Sequence, residues 1–175
     1  MNEKDAIGLL ISSGCSSSVI GHCRTVAAYA RRIAFDIEKC AKKKGTSVNI
    51  DIDAIYLGGL LHDIGRAKTH GIGHAVAGSI IALENGLSDK VVNIIERHIG
   101  AGISREEAVA LGLPEKDYFP VTMEEKIVAH ADNLVFGEKV GTIDELVLNL
   151  QKKQVDEKII RRIIDLNDEI TAMIC

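Results

Sequence analysis

The stretch LLHDIGR, residues 60–66, is the most informative part of the sequence. It ends a run of apolar residues at helical spacing, which predicts a buried helix over about residues 52–64 that stops at Gly65. The pair His62-Asp63 would be costly to bury at the end of such a run unless it were ion-paired or bound to a metal ion. Because a last turn can relax toward the glycine, both side chains can face one ion. The stretch therefore predicts a metal site at the end of a core helix.

Helix signals recur on both sides of this stretch and predict an all-α fold, a single compact bundle of about 8–9 helices. Apolar residues recur at spacings of three and four, and capping residues and glycines mark the helix ends. Three S/T-x-x-E capping boxes open helices, and the chain has only two prolines. We expect one domain over residues 1–175. The predicted helices cover about residues 3–13, 18–43, 52–64, 74–84, 89–99, 105–111, 123–136, 143–151 and 155–174.

Composition and charge exclude several classes of function. Apolar residues make up 46% and charged residues 26% of the chain, as in a soluble globular protein. The net charge is −4 and no basic stripe is visible, so we expect no nucleic-acid partner. No apolar run approaches the ~20 residues of a membrane span and no signal peptide opens the chain. We therefore expect a cytoplasmic protein without a membrane partner.

The four cysteines show neither metal-binding spacing nor the density of a disulfide scaffold. In a cytoplasmic protein they are expected to be reduced thiols. The predicted reduced residues are Cys15, Cys23, Cys40 and Cys175.

Two segments allow alternative interpretations. Segment 112–121, which holds both prolines and the aromatic residues Tyr118 and Phe119, is either a lid or a connection that its aromatics pin to the body. The amphipathic helix at about 155–174 either closes the core or forms the face of a homodimer.

Further ionisable residues fall on apolar helix faces outside the opening stretch. His22 lies near the start of the long second helix, and His98 follows apolar residues at helical spacing. Asp132 lies in the apolar stripe of EKIVAHADNLVF, residues 125–136, where a carboxylate needs a cation or several hydrogen bonds. Taken singly, each has an ordinary explanation as a hydrogen-bonded core residue or a structural cap.

Taken together and in order, these residues resemble the HD superfamily of metal-dependent phosphohydrolases. The resemblance covers about residues 18–137 and implies an HD-type helical core, with an N-terminal helix and C-terminal helices packed on it. It also implies that a first metal ion is held by His22, His62, Asp63 and Asp132. Their nitrogen and oxygen donors suit Mn, Fe, Co, Ni, Zn or Mg, so ligand type does not select the ion.

Two more histidines suggest a second ion, so that one or two divalent metal ions are expected. His74 and His98 match the added ligands of two-ion members, and the pattern is similar to that of HD-type diadenosine tetraphosphate hydrolases. In that subgroup the counterpart of Asp63 bridges both ions. His70 lies in the same loop and could assist. His130 should face away from Asp132, because two residues of a helix differ by about 200° in direction.

The activity implied by the resemblance is hydrolysis of a phosphate ester or anhydride by metal-activated water. Asp63, Arg66 and Lys68 are the predicted catalytic residues, and Arg66 and Lys68 are expected to bind the phosphate of a small-molecule substrate, most naturally a nucleotide. The chain lacks the GYP motif, which disfavours the cyclic-di-nucleotide phosphodiesterase branch of the superfamily.

Two alternative functions stay open at this point. One is a non-catalytic domain that binds metal and nucleotide and acts as a regulator. The other is an HD-type di-iron oxygenase, since some HD proteins use paired irons in that way.

Overall fold

The computed structural model describes residues 1–175, and nearly all of its regular structure is helical, which confirms the predicted all-α bundle. A short 3-10 helix and one small β-hairpin complete it. The elements are α1 (Glu3–Ser13), α2 (Ser17–Lys43), α3 (Ile52–Leu61), the 3-10 helix (Ile64–Ala67), α4 (His74–Glu84), α5 (Asp89–Glu96), α6 (Arg105–Ala110), α7 (Met123–Asn133), β1 (Val135–Phe136), β2 (Lys139–Val140), α8 (Ile143–Lys152) and α9 (Glu157–Ala172).

The 27-residue helix α2 is the central element of the fold. It begins after Ser16, whose hydroxyl accepts a hydrogen bond from the amide of Val19. Its buried face packs against α3 and α7. At Gly59 of α3, an added Cβ would lie only 2.8 Å from the Cα of Ala27 in α2. The glycine therefore allows a close crossing of α2 and α3, which both carry residues of the site described below.

Two apolar clusters meet along α2 and form the core. One joins α2 to α7 and α9, and the other joins α2 to α1, α3, α4 and α5. Both consist almost wholly of aliphatic side chains, as the scarcity of aromatic residues, 3% of the chain, leads one to expect. His62 and His98 are among the fully buried side chains. Polar residues thus lie inside an aliphatic core, where they require partners.

Three predicted helix ends were wrong, and all three lie next to the site. The third helix ends at Leu61, and Gly65 lies inside a separate 3-10 helix instead of ending α3. The fifth ends at Glu96 instead of residue 99. The seventh ends at Asn133, and a hairpin follows in which Gly137 adopts the left-handed φ of 63°. Each end is set by tertiary contacts that override helix propensity.

Two of the three predicted capping boxes form completely, at Ser104 and Thr142. At the third, the Thr122 hydroxyl accepts the hydrogen bond from the amide of Glu125 as expected. The Glu125 carboxylate instead accepts a hydrogen bond from the amide of Val121 and pairs with Arg97. A buried ion pair therefore replaces half of the predicted motif.

The prediction that all four cysteines are reduced was wrong for two of them. Cys40 in the last turn of α2 and the C-terminal Cys175 form a disulfide, with their Cα atoms 5.3 Å apart. Their separation of 135 residues along the chain gave no sign of this proximity. The fold itself brings the end of α2 beside the C-terminus, at a Cα distance that suits a disulfide. Cys15 and Cys23 are free thiols.

Segment 112–121 is pinned to the body by an aromatic residue. Tyr118 is buried, packs against Ile103 and Ala108, and donates a hydrogen bond from its hydroxyl to the carbonyl of Pro114. Its amide also donates to the carbonyl of Ile103. These contacts favour the connection over the lid.

The C-terminal helix α9 closes the core, which confirms one of its two interpretations. Leu166 and Ile170 are buried in the cluster with α2 and α7, and Ile163 is buried against Leu134. The homodimer remains a prediction. No helix of the chain has the length and apolar character that crossing a membrane requires.

Candidate metal centre

Six predicted ligands from five separate segments converge at one end of the bundle. His22 comes from the first turns of α2, and His62 and Asp63 follow α3. His74 is the first residue of α4, His98 follows α5, and Asp132 lies in the last turn of α7. The rings of four histidines form a chain with neighbouring centroids 4.9–5.2 Å apart, in the order His22, His62, His98, His74.

A first group of donors surrounds the Asp132 carboxylate. Its Oδ1 lies 2.9 Å from His22 Nε2 and 3.3 Å from His62 Nε2. Asp63 Oδ2 lies 3.8 Å from the same nitrogen of His62. Ligands that share one ion at about 2.0–2.2 Å stand about 3–4 Å from each other, so this spacing fits a single divalent ion.

A second group surrounds the other carboxylate oxygen of Asp63. Oδ1 lies 3.1 Å from His74 Nε2 and 3.7 Å from His98 Nε2, and these two nitrogens are 3.1 Å apart. The spacing again matches that of donors around one ion. Asp63 therefore directs one oxygen toward each group, which is the arrangement of a bridging carboxylate.

All four histidines of the site are oriented in the same way. In each, Nδ1 lies 2.7–2.8 Å from a backbone carbonyl oxygen, to which it donates, and Nε2 points into the site. A carbonyl can only accept, so it fixes the tautomer in which Nε2 carries a free lone pair. The carbonyls belong to Gly137 for His22, Gly59 for His62, Gly71 for His74 and Ile95 for His98.

Two buried atoms at the centre of the site have no hydrogen-bond partner, namely His62 Nε2 and Asp63 Oδ1. Both residues are at least 95% buried, and an unsatisfied polar atom in such a place is costly. These are the two atoms that the donor geometry aims at the first and second groups. A divalent ion would satisfy both of them, so the residues present fit a metal centre.

Gly65 sets the position of His74. A Cβ at Gly65 would overlap the carbonyl oxygen of His74 and lie 2.5 Å from the amide of Gly78, both in α4. Only a glycine allows the 3-10 helix to lie this close to α4. The glycine of the HDIG stretch therefore brings the start of α4, and with it the His74 imidazole, within reach of Asp63.

The ionisation of the site follows from its mutual contacts. Burial would raise the pKa values of Asp63 and Asp132, but the charge of His62 holds both well below their usual range. Burial would lower the pKa of His62, but Cys23 and the two carboxylates raise it well above its usual value. Burial, assisted by His62, lowers the pKa of His98 to about 4. The carboxylates are thus ionised and His98 is neutral, the forms that bind a cation, whereas His62 must release a proton to do so.

Of the two predicted phosphate-binding residues, Arg66 is the one that contacts this centre. Arg66 donates from Nε to Asp63 Oδ2 at 2.6 Å and from Nη1 to the carbonyl of His70 at 3.4 Å. Lys68 is exposed and forms no ion pair, and the His70 side chain is exposed. His130 is buried but belongs to neither donor group, in accord with its predicted direction.

The hairpin residue Gly137 was missed because the seventh helix was predicted to reach about residue 136, and no hairpin was predicted after it. Its carbonyl holds His22 from the side opposite Asp132. Asn133, also missed, donates from Nδ2 to the carbonyl of Gly100 and ties the end of α7 to the turn that follows His98. A glycine-glutamate pair, Gly137-Glu138, directly after an apolar stretch was the available sequence signal for a turn.

An all-α bundle with histidines and aspartates from separate helices around a shared carboxylate defines a helical metal-centre protein. The family model of the HD domain matches residues 19–137, so the chain belongs to the HD domain family. This confirms the resemblance drawn from the sequence. Family membership supports a metal-dependent phosphohydrolase in general terms.

Two similar proteins differ in how much of their own length matches this chain. An uncharacterized protein of Methanocaldococcus jannaschii is 50% identical over 94% of this chain and 95% of its own length. The tRNA (cytidine(56)-2'-O)-methyltransferase of Thermoplasma volcanium is 45% identical over 89% of this chain. The match covers only 43% of the methyltransferase, so the chain is similar to less than half of that relative.

Among solved structures, the HD domain of the Listeria monocytogenes phosphodiesterase PgpH has a similar fold. The domain in complex with cyclic-di-AMP aligns with a TM-score of 0.52 and 16% identity, covering 93% of this chain and 92% of the domain. Identity at this level shows the fold alone.

Proposed function

We propose that the protein is a metal-dependent phosphohydrolase that cleaves a phosphate ester or anhydride of a nucleotide. The observation that carries the proposal is Asp63, a buried carboxylate that turns one oxygen toward each of two groups of histidine donors. The proposed ligands are His22, His62, Asp63 and Asp132 for one ion and Asp63, His74 and His98 for a second. Divalent ions held in this way activate water for attack on phosphorus and neutralise the phosphoryl oxygens.

The chain's own residues supply positioning and charge. In the reaction a water oxygen bonds to phosphorus, the bond from phosphorus to the leaving oxygen breaks, and a proton passes to that oxygen. Arg66 uses its Nε–H on Asp63 and its Nη1 on the His70 carbonyl, and its Nη2 group remains available for a phosphoryl oxygen. Lys68, exposed at the end of the same 3-10 helix, adds a second cation two residues further along the chain. Both favour the negative charge that the transition state spreads over phosphate.

The nucleotide substrate class has independent support. The PgpH HD domain, which shares the fold, binds cyclic-di-AMP, and a Ribonuclease Y of Pseudothermotoga lettingae is 28% identical over 66% of this chain. Both are proteins that act on or bind phosphodiesters of nucleotides, as their names state. The match covers 21% of the ribonuclease, so its whole activity is not carried over.

The test is hydrolysis of bis(p-nitrophenyl) phosphate and a panel of nucleotides by protein loaded with Mn, Co or Ni. We expect turnover, and we expect Asp63→Asn to reduce it by about 1000-fold or more, since the metals supply several kcal/mol of transition-state stabilisation. Asp53→Asn, the same change at an exposed position of α3, is the matched control and should retain full activity. Equal activity of the wild type and Asp63→Asn would contradict the proposal.

The alternatives give different results in the same preparation. A regulatory domain would bind a nucleotide tightly and hydrolyse none of the panel. An oxygenase would contain iron and show oxygen-dependent turnover. Elemental analysis also separates one ion from two, because His74→Gln should remove one ion of a pair and leave the other.

A further inference from the structure

The outer face of α2 carries a row of cations that the metal centre does not use. Five basic residues and one aromatic residue point to solvent along it, namely Arg24, Arg31, Arg32, Phe35, Lys39 and Lys42. At about 100° per residue they fall within an arc of about 100° on the helix surface, and they extend over about 27 Å of its length. We call this set the α2 stripe. It contradicts the expectation that the chain has no basic stripe.

None of the five cations of the α2 stripe has an ion-pair partner, although the chain as a whole has a net charge of −4. The two acidic residues of the same stretch, Asp36 and Glu38, are half-buried at opposite edges of the arc. Positive charge is therefore concentrated on one face of an otherwise acidic protein. Such a face attracts a polyanion over long distances.

Two shallow grooves lie on the α2 stripe, and both are lined by the same kinds of side chain. The first, of about 440 Å³, is bordered by Arg24, Arg32 and Tyr29 and reaches Val140 of the hairpin. The second, of about 500 Å³, is bordered by Lys39, Lys42 and Phe35, together with Glu38. Each groove thus combines two cations with one aromatic ring.

The aromatic rings are available to a ligand to different degrees. Phe35 is 52% exposed, so its ring is accessible to a ligand. Tyr29 is half-buried, with the guanidinium of Arg32 5.0 Å from its ring centroid. Arg31 is similarly held, 4.3 Å from the ring of Tyr56. These contacts order the two guanidinium groups on the helix surface.

From this charge complementarity we propose that the α2 stripe binds a single-stranded polynucleotide. Cations along a groove follow the phosphates of such a strand, and exposed aromatic rings stack on its bases. A double helix presents no bases for Phe35 to stack on, and a free mononucleotide cannot span 27 Å, a length of about 18 helical residues. The proposal does not depend on the metal centre or on its reaction.

The test is fluorescence anisotropy with a labelled single-stranded 12-mer, of RNA in one arm and of DNA in the other, over a range of salt concentrations. Each phosphate contact contributes about −0.7 to the slope of log affinity against log salt for a single strand, so five cations predict a slope of about −3.5. Binding in either arm supports the proposal, and the ratio of the two affinities identifies the natural polymer. A slope near zero would overturn it.

Matched variants separate the stripe from net charge. Arg31→Gln with Lys39→Gln removes two cations of the stripe and should reduce the steepness of the slope by about 1.4, at two contacts of about 0.7 each. Lys152→Gln with Lys153→Gln removes the same charge from an exposed position at the end of α8 and should change nothing. Phe35→Ala should weaken binding at least about fivefold, since stacking on one ring contributes about 1–3 kcal/mol. Equal effects of the two double variants would overturn the proposal.

Two further arms exclude other sites and partners. Asp63→Asn should bind the 12-mer as the wild type does, because the stripe lies outside the metal centre, and loss of binding would place the strand there instead. Vesicles containing phosphatidylserine should compete poorly with the 12-mer. Tight vesicle binding with no oligonucleotide binding would replace the proposed partner by a membrane surface. Thermal melts of each variant show that it remains folded.

Discussion

The two ends of α2 are both joined to distant parts of the chain, but by different chemistry. Near its start, His22 meets Asp132 and the Gly137 carbonyl through hydrogen bonds of 2.9 and 2.8 Å. At its other end, Cys40 is covalently bonded to Cys175. The first attachment is one of several that converge on a metal centre. The second is a single covalent bond that reinforces the apolar packing of α9 against α2.

The difference teaches where stability and function reside in this fold. The metal end is held by close packing between backbones, and its polar atoms are left for ligands. The disulfide end closes a loop of about 135 residues and mainly restricts the unfolded chain. We therefore expect changes at the disulfide to reduce global stability without altering the metal centre. Changes at the metal end should either reduce both global stability and metal binding, or reduce metal binding alone.

The largest effect on stability is expected from Cys40→Ser. A loop of this length implies a loss of up to about 5 kcal/mol in the free energy of unfolding. Urea unfolding followed by circular dichroism measures it, and the metal content of the folded variant should equal that of the wild type. Cys15→Ser, at a free thiol, is the control. If reductant leaves the wild-type unfolding curve unchanged, the disulfide does not stabilise the protein in solution.

Gly65→Ala should have the next largest effect on stability. This residue lies near the metal end of α2, opposite the disulfide. The new Cβ meets backbone atoms of His74 and Gly78, so α4 must move, and overpacking of this kind costs about 1–3 kcal/mol. Because His74 moves with α4, we also expect the variant to lose metal from the second donor group. Elemental analysis and a thermal melt measure the two effects.

The control for this substitution is Gly8→Ala in α1, where a Cβ meets no atom within 4 Å. An alanine in a helix interior is favoured over glycine by about 1 kcal/mol, so this variant should be slightly more stable than the wild type. Full metal content in Gly65→Ala would show that the glycine does not position His74.

A smaller effect, confined to metal binding, is expected from Gly137→Ala. The glycine has a φ of 63° and open space around its Cβ position, so alanine adds backbone strain of about 1 kcal/mol without a clash. Any shift of the carbonyl releases His22 Nδ1, and loss of such an outer contact lowers metal affinity about tenfold or more. Competition with a fluorescent chelator measures the affinity.

Gly86→Ala provides the same strain without the contact. Its φ is 69°, its Cβ position is equally open, and it lies beyond the end of α4, far from His22 in sequence. The two variants should melt at similar temperatures and differ only in metal affinity. A tenfold loss of affinity in both would mean that the hairpin carbonyl has no special role.

The contrast between the metal end and the disulfide end of α2 also explains which features the sequence could predict. The convergence of His22, His62, Asp63, His74, His98 and Asp132 could be predicted because their chemistry is costly in apolar helices and their order resembles a known family; their binding of metal stays a prediction. The hairpin that holds His22 could not be predicted, because its two-residue strands are too short to produce a periodic pattern. The disulfide could not be, because pairing of Cys40 with Cys175 depends on where the folded chain ends. The α2 stripe was predictable, because the helix over about residues 18–43 was, but it was missed because net charge, rather than the position of each cation around that helix, was considered.

The smallest predicted effect concerns a noncovalent contact that also attaches α9 to the bundle, between Arg162 and Glu107 of α6. The Arg162 guanidinium donates to both carboxylate oxygens of Glu107, at 2.8 and 2.9 Å. A hydrogen bond from the Ser104 amide and the neighbouring Arg162 lower the pKa of Glu107 below its usual value of 4.5. A depressed carboxyl pKa stabilises the folded state above pH 4.5, and this contribution is lost as the pH falls through the lowered pKa.

Glu107→Gln should therefore cost less than about 1 kcal/mol at pH 7, because the pair is partly open to solvent. Its difference from the wild type should decrease as the pH is lowered below 4.5, through the depressed pKa of the wild-type carboxyl. Urea unfolding at each pH measures the difference. Glu115→Gln, in the more exposed pair with Arg105, should show a smaller difference at pH 7. If the difference for Glu107→Gln is constant with pH, the charge of Glu107 does not contribute to the attachment of α9.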